Sequence, residues 1–357
     1  MPWSLPRIRA NSQVEKTKSQ GLGILRFFLF KPNNKGNRIV TEWHRKLTFP
    51  LMIQSPFHHF LELLQSGQQP NGGFPYHSGE KSRPDATAWA VLALSSYAFT
   101  PESCNRGRAY LASQQANDGR VSISPSHPEA SWPTPLAIFA WEGGSQYQEA
   151  QSRAVDYLIG FTGRHFSNPV SSIIGHDTAI PGWPWIADTH SWVVPTALAL
   201  LALQKMGLGT HPRAIAGQQM LLNRQLSSGG WNYGSTTVFN RELRPLPECT
   251  AIALQALAGN TPFYTIERSL QYVSHELPHL RTPISLGWTL LGLGAWGLKP
   301  TNTQELVSAC FQRQERYGSY ALPSLALLLC GAKAEQGLNS LFPASLPQSP
   351  DSFAQHQ

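Results

Sequence analysis

The chain has little charge, no closely spaced cysteines and no long apolar run, and each shortage narrows its class. Only 14% of the 357 residues are charged, which suits a fold with many buried helices. The four cysteines lie far apart and form no CxxC pair, so we expect a reduced, cytoplasmic setting. No stretch of eighteen apolar residues occurs, so we expect no transmembrane helix.

The net charge of +7 is concentrated at the beginning of the chain. Residues 1–46 contain ten Lys/Arg and two acids, so the other 311 residues sum to about −1. That balance excludes a nucleic-acid platform in the main body. We predict a basic, poorly ordered and solvated extension over residues 1–48, with peripheral membrane contact through its apolar stretch Leu25 to Phe30 as the alternative. The tail 343–357 is rich in Pro, Ser and Gln and is predicted to be disordered.

Between residues 49 and 342 one unit repeats about six times. It consists of an amphipathic helix, a loop rich in Gln and Gly, and a second helix that is apolar on nearly every side. One unit cannot bury its own apolar face, so neighbouring units must stack as one domain. Amphipathic outer helices are predicted at 51–66, 103–115, 150–163, 212–225, 264–275 and 302–314. Apolar inner helices are predicted at 86–98, 132–141, 192–206, 249–258, 284–296 and 320–331.

The loops carry a family resemblance. Gln69–Phe74 reads QPNGGF and Gln225–Trp231 reads QLSSGGW. Both resemble the QW motifs of squalene and oxidosqualene cyclases, and the run PECTAIAL from Pro247 resembles the prenyltransferase and squalene-cyclase repeat. The resemblance covers roughly residues 51–332. It implies an all-α (α/α)6 toroid, a single domain whose inner helices surround a cavity that holds an isoprenoid in the cyclases.

The motif residues themselves are predicted to be structural. Glycine permits a tight turn with positive φ, and a following Trp or Phe packs across the helix junction. The Gln amide can bond carbonyls that a helix end leaves open.

The acid that starts cyclisation in the family is missing. Such cyclases use a DxDD motif, whereas the six Asp residues of this chain include no adjacent pair. Prenyltransferase β-subunits instead hold zinc through Asp, Cys and His, with one residue between Asp and Cys. Here Glu248 directly precedes Cys249. We therefore predict no cofactor, with zinc at Cys249, aided by Asp188 or His190, left as an alternative.

Acidic residues open four of the predicted inner helices. They are Asp85, Glu129, Asp188 and Glu248, with His190 beside the third. Parallel inner helices would bring these groups to one mouth of the ring. We predict Asp188, His190 and Glu248 as catalytic candidates, because they follow the two longest loops. The alternative for all the acids is helix capping.

Aromatic residues cluster in and beside the same loops, 164–191 and 226–247. We predict a substrate-binding set, with packing between helices as the alternative: Trp183, Trp185, Trp192, Trp231, Tyr233 and Asp85. Arg241 and Arg244 would suit a diphosphate, or lie in a solvated loop.

We therefore predict a protein that binds an isoprenoid or another apolar small molecule, with catalysis left open. The first alternative is a non-catalytic lipid-binding module or scaffold, because fold does not determine function. The second is a carbohydrate-active (α/α)6 enzyme, since Trp and paired acids suit sugars. The sequence identifies no protein partner.

Overall fold

The helices of the chain alternate between two classes, as the repeat predicts. The computed structural model describes residues 55–166 and 175–341. Its outer helices are α1 His58–Ser66, α3 Pro101–Ser113, α5 Gln148–Gly160, α7 Pro212–Asn223, α9 Phe263–Glu276 and α11 Thr303–Gln312. Its inner helices are α2 Pro84–Ser96, α4 Thr134–Ala140, α6 Val193–Lys205, α8 Pro247–Leu257, α10 Pro283–Ala295 and α13 Leu322–Lys333.

The remaining elements are short. Helix α12 spans Gln314–Tyr317, and 3-10 turns span Ser145–Tyr147, Leu277–His279 and Leu338–Leu341. Strands β1 Thr237–Val238 and β2 Arg241–Glu242 pair antiparallel in one hairpin. The predicted extension 1–48 and tail 343–357 lie outside the described residues. Within the described ranges, no helix combines the length and apolar content needed to cross a membrane.

The helices contact one another in a cyclic order. Along the inner layer the order is α2, α4, α6, α8, α10 and α13, and α13 returns to contact α2. Each outer helix packs against the inner helix before it and the inner helix after it. The all-α prediction is confirmed. A toroid requires this cyclic sequence of helix contacts.

The inner helices are parallel, which gives the ring two different ends. Near their first residues, Leu322 N–H donates to Tyr76 O, and Ala187 N–H donates to Glu129 O. Near their last residues, Gln204 Nε2 donates to Ala256 O at 2.8 Å. We call these ends the N-terminal rim and the C-terminal rim. The predicted convergence of inner-helix starts at one end is therefore observed.

Small residues let the inner helices approach closely. A Cβ on Gly292 of α10 would lie 2.8 Å from Ala251 O of α8, and one on Gly331 of α13 would lie 2.7 Å from Gly287 O of α10. The residues of α2 from Pro84 to Leu94 are all buried, which explains why this helix is apolar on every side.

An aromatic pair joins two inner helices that are not direct neighbours in the ring. Trp89 of α2 and Trp288 of α10 meet edge to face with ring centroids 5.3 Å apart, although α13 separates these helices in the ring. Both indoles are buried, at 7% and 8% exposed. Side chains of two non-adjacent inner helices therefore contact each other directly.

Glutamine side chains tie one repeat to the next. In three units the Gln Nε2 donates to the carbonyl of the third residue of the following outer helix, in two of them also to a glycine carbonyl of its own loop. The first of these residues is Gln68 rather than Gln69, which bonds Ser82 instead. The acceptor is thus the first turn of the next repeat, not the helix end expected from sequence. The pairs are Gln68 with Gly72 O and Ser103 O, Gln115 with Gly119 O and Ala150 O, and Gln225 with Thr265 O.

Threonine hydroxyls fasten each loop to its inner helix. In four units a wholly buried Thr accepts a hydrogen bond of 2.8–2.9 Å from the N–H of the apolar loop residue. Two of these residues, Thr87 and Thr250, stand two positions after the acids Asp85 and Glu248 that open their helices. Val121 takes the place of the aromatic in the second unit, whose motif lacks one. The pairs are Thr87 with Phe74, Thr134 with Val121, Thr196 with Trp183, and Thr250 with Trp231.

We predict that Gly72→Ala destabilises the protein far more than Gly79→Ala. Both glycines lie in the first loop with nearly equal positive φ, 87° and 86°. A Cβ on Gly72 would lie 2.5 Å from Arg106 O, whereas one on Gly79 meets nothing within 4 Å. We expect about 1 kcal/mol for Gly79→Ala from the backbone alone and about 3 kcal/mol for Gly72→Ala. Urea unfolding measures the free energy of unfolding of both variants. Equal losses would contradict the close packing of Gly72 against Arg106.

We predict opposite outcomes for two buried threonines of the inner helices. Thr87→Val leaves Phe74 N–H without its acceptor and should lower the free energy of unfolding by about 1–3 kcal/mol. Thr289 is equally buried, but its Oγ1 has no partner among the described residues. Thr289→Val should therefore be neutral or slightly stabilising. Thermal or urea unfolding measures the stability of both variants. An equal loss of stability in the two would refute this difference.

Candidate functional site

The loop before α6 places two of the predicted catalytic residues at the N-terminal rim. Asp188 is exposed and adopts a left-handed conformation with φ 62°. His190 is held by a backbone bridge to Arg164, and its ring lies 4.3 Å from that of Trp192, tilted by 38°. Both side chains are open to solvent, so they can meet a ligand.

His190 favours the neutral form. Its pKa is lowered from 6.5 by partial burial first and by the charge of Arg224 second. Arg224 is 5% exposed and donates from Nη1 to Gly234 O at 2.6 Å. Burial lowers the pKa of that guanidinium to about 10. A neutral imidazole at physiological pH accepts a proton more readily than it supplies one.

Glu248, the third predicted catalytic residue, has a structural contact. Its Oε2 accepts a hydrogen bond of 3.0 Å from Ser285 Oγ, which joins the first turns of α8 and α10. Among the described residues no hydrogen bond or ion pair links Glu248, Asp188 and His190. The structure places all three at one rim but does not join them in a hydrogen-bonded group.

Asp85 is the most buried acid of this rim, at 1% exposed. Arg83 donates to it through Nε at 3.0 Å and Nη2 at 2.9 Å, and Tyr76 Oη donates at 2.6 Å. Burial and the neighbouring carboxylate raise the pKa of the Tyr76 phenol. A carboxylate that already accepts three hydrogen bonds, two from a guanidinium, serves as an anchor for α2.

Two of the predicted substrate-binding tryptophans pack inside the repeats. Trp183 is 2% exposed and donates from Nε1 to Leu158 O at 3.0 Å, with Arg213 lying 4.0 Å from its ring centroid. Trp231 is wholly buried and donates to Leu221 O at 2.7 Å. Their contacts are those of helix packing, and a role in ligand binding stays a prediction.

Other aromatic side chains remain partly open to solvent. Trp185 packs edge to face on Trp132 with ring centroids 5.4 Å apart. Trp192 lies under His190, and Tyr233, which is 56% exposed, accepts the N–H of Val193 through its backbone carbonyl. We call Trp132, Trp185, His190, Trp192 and Tyr233 the aromatic rim. They offer π-faces and apolar edges to a ligand at the N-terminal rim.

The sequence-based reasoning missed Trp132, Ser285 and the buried Arg224. Trp132 precedes α4 as Trp192 precedes α6, so this shared position was a usable signal. The other two had none, because their roles depend on contacts with residues 37 and 10 positions away.

Metal ligation has little support in the described residues. They contain no group of three or more His, Cys, Asp or Glu that could hold a metal ion. Cys249 is wholly buried, and burial together with Glu248 raises the pKa of its thiol to about 12. The thiolate that zinc requires is thereby disfavoured.

Comparison with solved structures yields distant similarities. A variant of the type II terpene cyclase MstE from Scytonema, in complex with geranylgeranyl dihydroxybenzoate, is 17% identical over 79% of this chain and 81% of its own, with a TM-score of 0.45. The apo form of MstE is 15% identical over 73% of this chain and 78% of its own, with a TM-score of 0.48. An alpha-amylase from Clostridium perfringens is 10% identical over 77% of this chain and 96% of its own, with a TM-score of 0.47. No family model and no curated protein matches the chain.

We predict that His190 makes stability fall in acid. Because its folded pKa lies below 6.5, the unfolded chain takes up a proton that the folded chain resists, so folding weakens as pH drops through that value. His190→Gln cannot be protonated. Its free energy of unfolding should therefore fall less than that of the wild type between about pH 7 and pH 5. Parallel curves in urea titrations would contradict the lowered pKa.

Proposed function

We propose that this protein binds an isoprenoid or another apolar small molecule at the aromatic rim. The observation that carries the proposal is that Trp185, Trp192 and Tyr233 remain partly or largely exposed around the starts of tightly packed inner helices. Covering a large aromatic side chain with an apolar partner lowers the free energy of the complex. A hydrocarbon chain of linked isoprene units supplies such a partner.

The charged groups of the rim favour binding without catalysis. Cyclisation by protonation requires a carboxylic acid that is held protonated by its surroundings. Asp85 instead accepts hydrogen bonds from Arg83, and Asp188 is exposed to water. His190 has a lowered pKa and is therefore mostly unprotonated near neutral pH, so it holds no proton to donate. We therefore favour a non-catalytic isoprenoid-binding protein over a cyclase, with an enzyme that uses another proton donor as the second candidate.

A carbohydrate-active enzyme has less support. Glycoside hydrolysis requires two carboxyl groups that face each other across the bound sugar. Here Asp85 is engaged by Arg83 and Glu248 by Ser285. Asp85 therefore holds the loop before α2 against its own helix, and Glu248 joins α8 to α10.

We predict that Trp185→Ala weakens binding of squalene or geranylgeranyl diphosphate about tenfold, because it removes an indole face from the rim. The measurement is the amount of each compound retained by purified protein after gel filtration, quantified by mass spectrometry. The matched control is Tyr264→Ala, since Tyr264 is an aromatic that is 80% exposed on α9. That control should bind as the wild type does.

The same samples distinguish binding from catalysis. Recovery of the bound compound unchanged supports a binding protein, whereas new products support the enzymatic candidate. Failure of the wild type to retain either compound, or equal retention by Trp185→Ala, would refute binding at the aromatic rim.

A further inference from the structure

A short β-hairpin stands at the N-terminal rim, in the loop that leads into α8. Its strands β1 and β2 are joined by a turn of two residues, Phe239 and Asn240. The base of the loop is closed by Leu246 N–H, which donates to Trp231 O at 2.8 Å just before the first residue of α8. We call residues 237–244 the rim hairpin.

Phe239 is strained by the turn and left uncovered by its own chain. Its side chain is 90% exposed, so the ring contributes almost nothing to the packing of the fold. Both turn residues are left-handed, with φ 50° for Phe239 and 59° for Asn240. Asparagine adopts that conformation readily, whereas a bulky aromatic residue does so at a cost in free energy. Folding alone therefore favours another residue at position 239, and the strained, exposed ring indicates contact with another molecule.

Further large apolar side chains are exposed at the same end of the inner helices. They lie in the loops before α6 and α8, at the start of α10 and in the segment before α13. A Cβ on Gly175 would lie 2.5 Å from Thr237 Oγ1, so the loop before α6 packs directly against the rim hairpin. Several segments thus share the exposed apolar surface. Its members besides Phe239 are Phe166, Ile186, Tyr233, Val238, Ile284 and Tyr317.

The rim hairpin carries an excess of positive charge beside its apolar turn. Arg241 and Arg244 are exposed, and neither forms an ion pair within the described part of the chain. Glu242, the acid of the hairpin, accepts a backbone N–H at 2.6 Å. The exposed acids Glu129 and Asp188 of this rim lie in the loops before α4 and α6 instead. Unpaired basic groups beside an exposed apolar turn match an anionic surface.

We propose that the rim hairpin docks this end of the protein onto a lipid bilayer that contains anionic lipids. Val238 and Phe239 enter the boundary between the head groups and the acyl chains, where an apolar side chain is removed from water. Arg241 and Arg244 bind the lipid phosphates beside them.

The composition of the surrounding rim favours a bilayer over a protein partner. Trp185, Trp192 and Tyr233 are partly or largely exposed. Trp and Tyr are enriched at the membrane–water boundary, because each ring has an apolar body and a polar edge. A fluid bilayer also covers apolar groups on several separate segments without a matching shape. Docking brings the aromatic rim to the membrane, where isoprenoids partition, but the inference does not require that ligand.

Vesicle flotation tests the inference on the full chain. The wild type should bind phosphatidylcholine vesicles that contain about 30% phosphatidylglycerol about tenfold more tightly than pure phosphatidylcholine vesicles. Phe239→Asn removes the ring but suits the left-handed turn. It should weaken binding to the anionic vesicles about tenfold and leave the free energy of unfolding unchanged or higher. The matched control is Tyr264→Asn, which removes an aromatic that is 80% exposed at the start of α9 and should bind as the wild type does.

A fluorescent label locates the contact within the chain. The four natural cysteines are buried, so Phe239→Cys and Tyr264→Cys each offer one accessible thiol to an environment-sensitive dye. Emission from position 239 should shift to the blue when anionic vesicles are added, and emission from position 264 should not.

Several results would overturn membrane docking by the rim hairpin. They are absence of wild-type binding to the anionic vesicles, equal binding by Phe239→Asn, and unchanged emission at position 239 or an equal shift at position 264. Squalene retention is measured without vesicles, so isoprenoid binding and membrane docking can each fail alone.

Discussion

The protein depends on packing between neighbouring helical repeats, which glutamine hydrogen bonds reinforce in three of the described units. No single unit can bury the apolar surface of its inner helix, so stability requires that every unit meet a neighbour on both sides. The Gln68 amide reaches the first turn of the next outer helix, and the Thr87 hydroxyl holds the loop against its own inner helix. The same pair of contacts recurs at Gln115 with Thr134 and at Gln225 with Thr250, and the third unit keeps the threonine contact at Thr196.

This requirement explains why several residues that look functional are used for packing. The conspicuous Trp183 and Trp231 donate to backbone carbonyls within the repeats, and Asp85 anchors Arg83 and Tyr76. Groups without such duties are more informative about function. At the N-terminal rim these are the partly open aromatic residues Trp185, Trp192 and Tyr233.

The two rims offer different chemistry because the inner helices are parallel. Helix starts attract acids and hydroxyls that satisfy open N–H groups, and they gather the long loops with their aromatic residues. Helix ends present carbonyls, glycines and uncharged amides around a cavity. A repeat that encodes direction in every unit thus produces two distinct ends.

The amino-acid sequence determined the helical repeat, the alternation of amphipathic and apolar helices, and most helix positions to within a few residues. These follow from local periodicity, from proline near helix starts and from glycine after helix ends. The gathering of Asp85, Asp188 and Glu248 at one rim also followed, since stacked units run in one direction. Only the tertiary structure decided what each residue contacts. The pairing of Trp89 with Trp288 and the hydrogen bond from Leu338 N–H to Gln255 Oε1 depend on residues far apart in the chain, and local pattern carries no record of such distances.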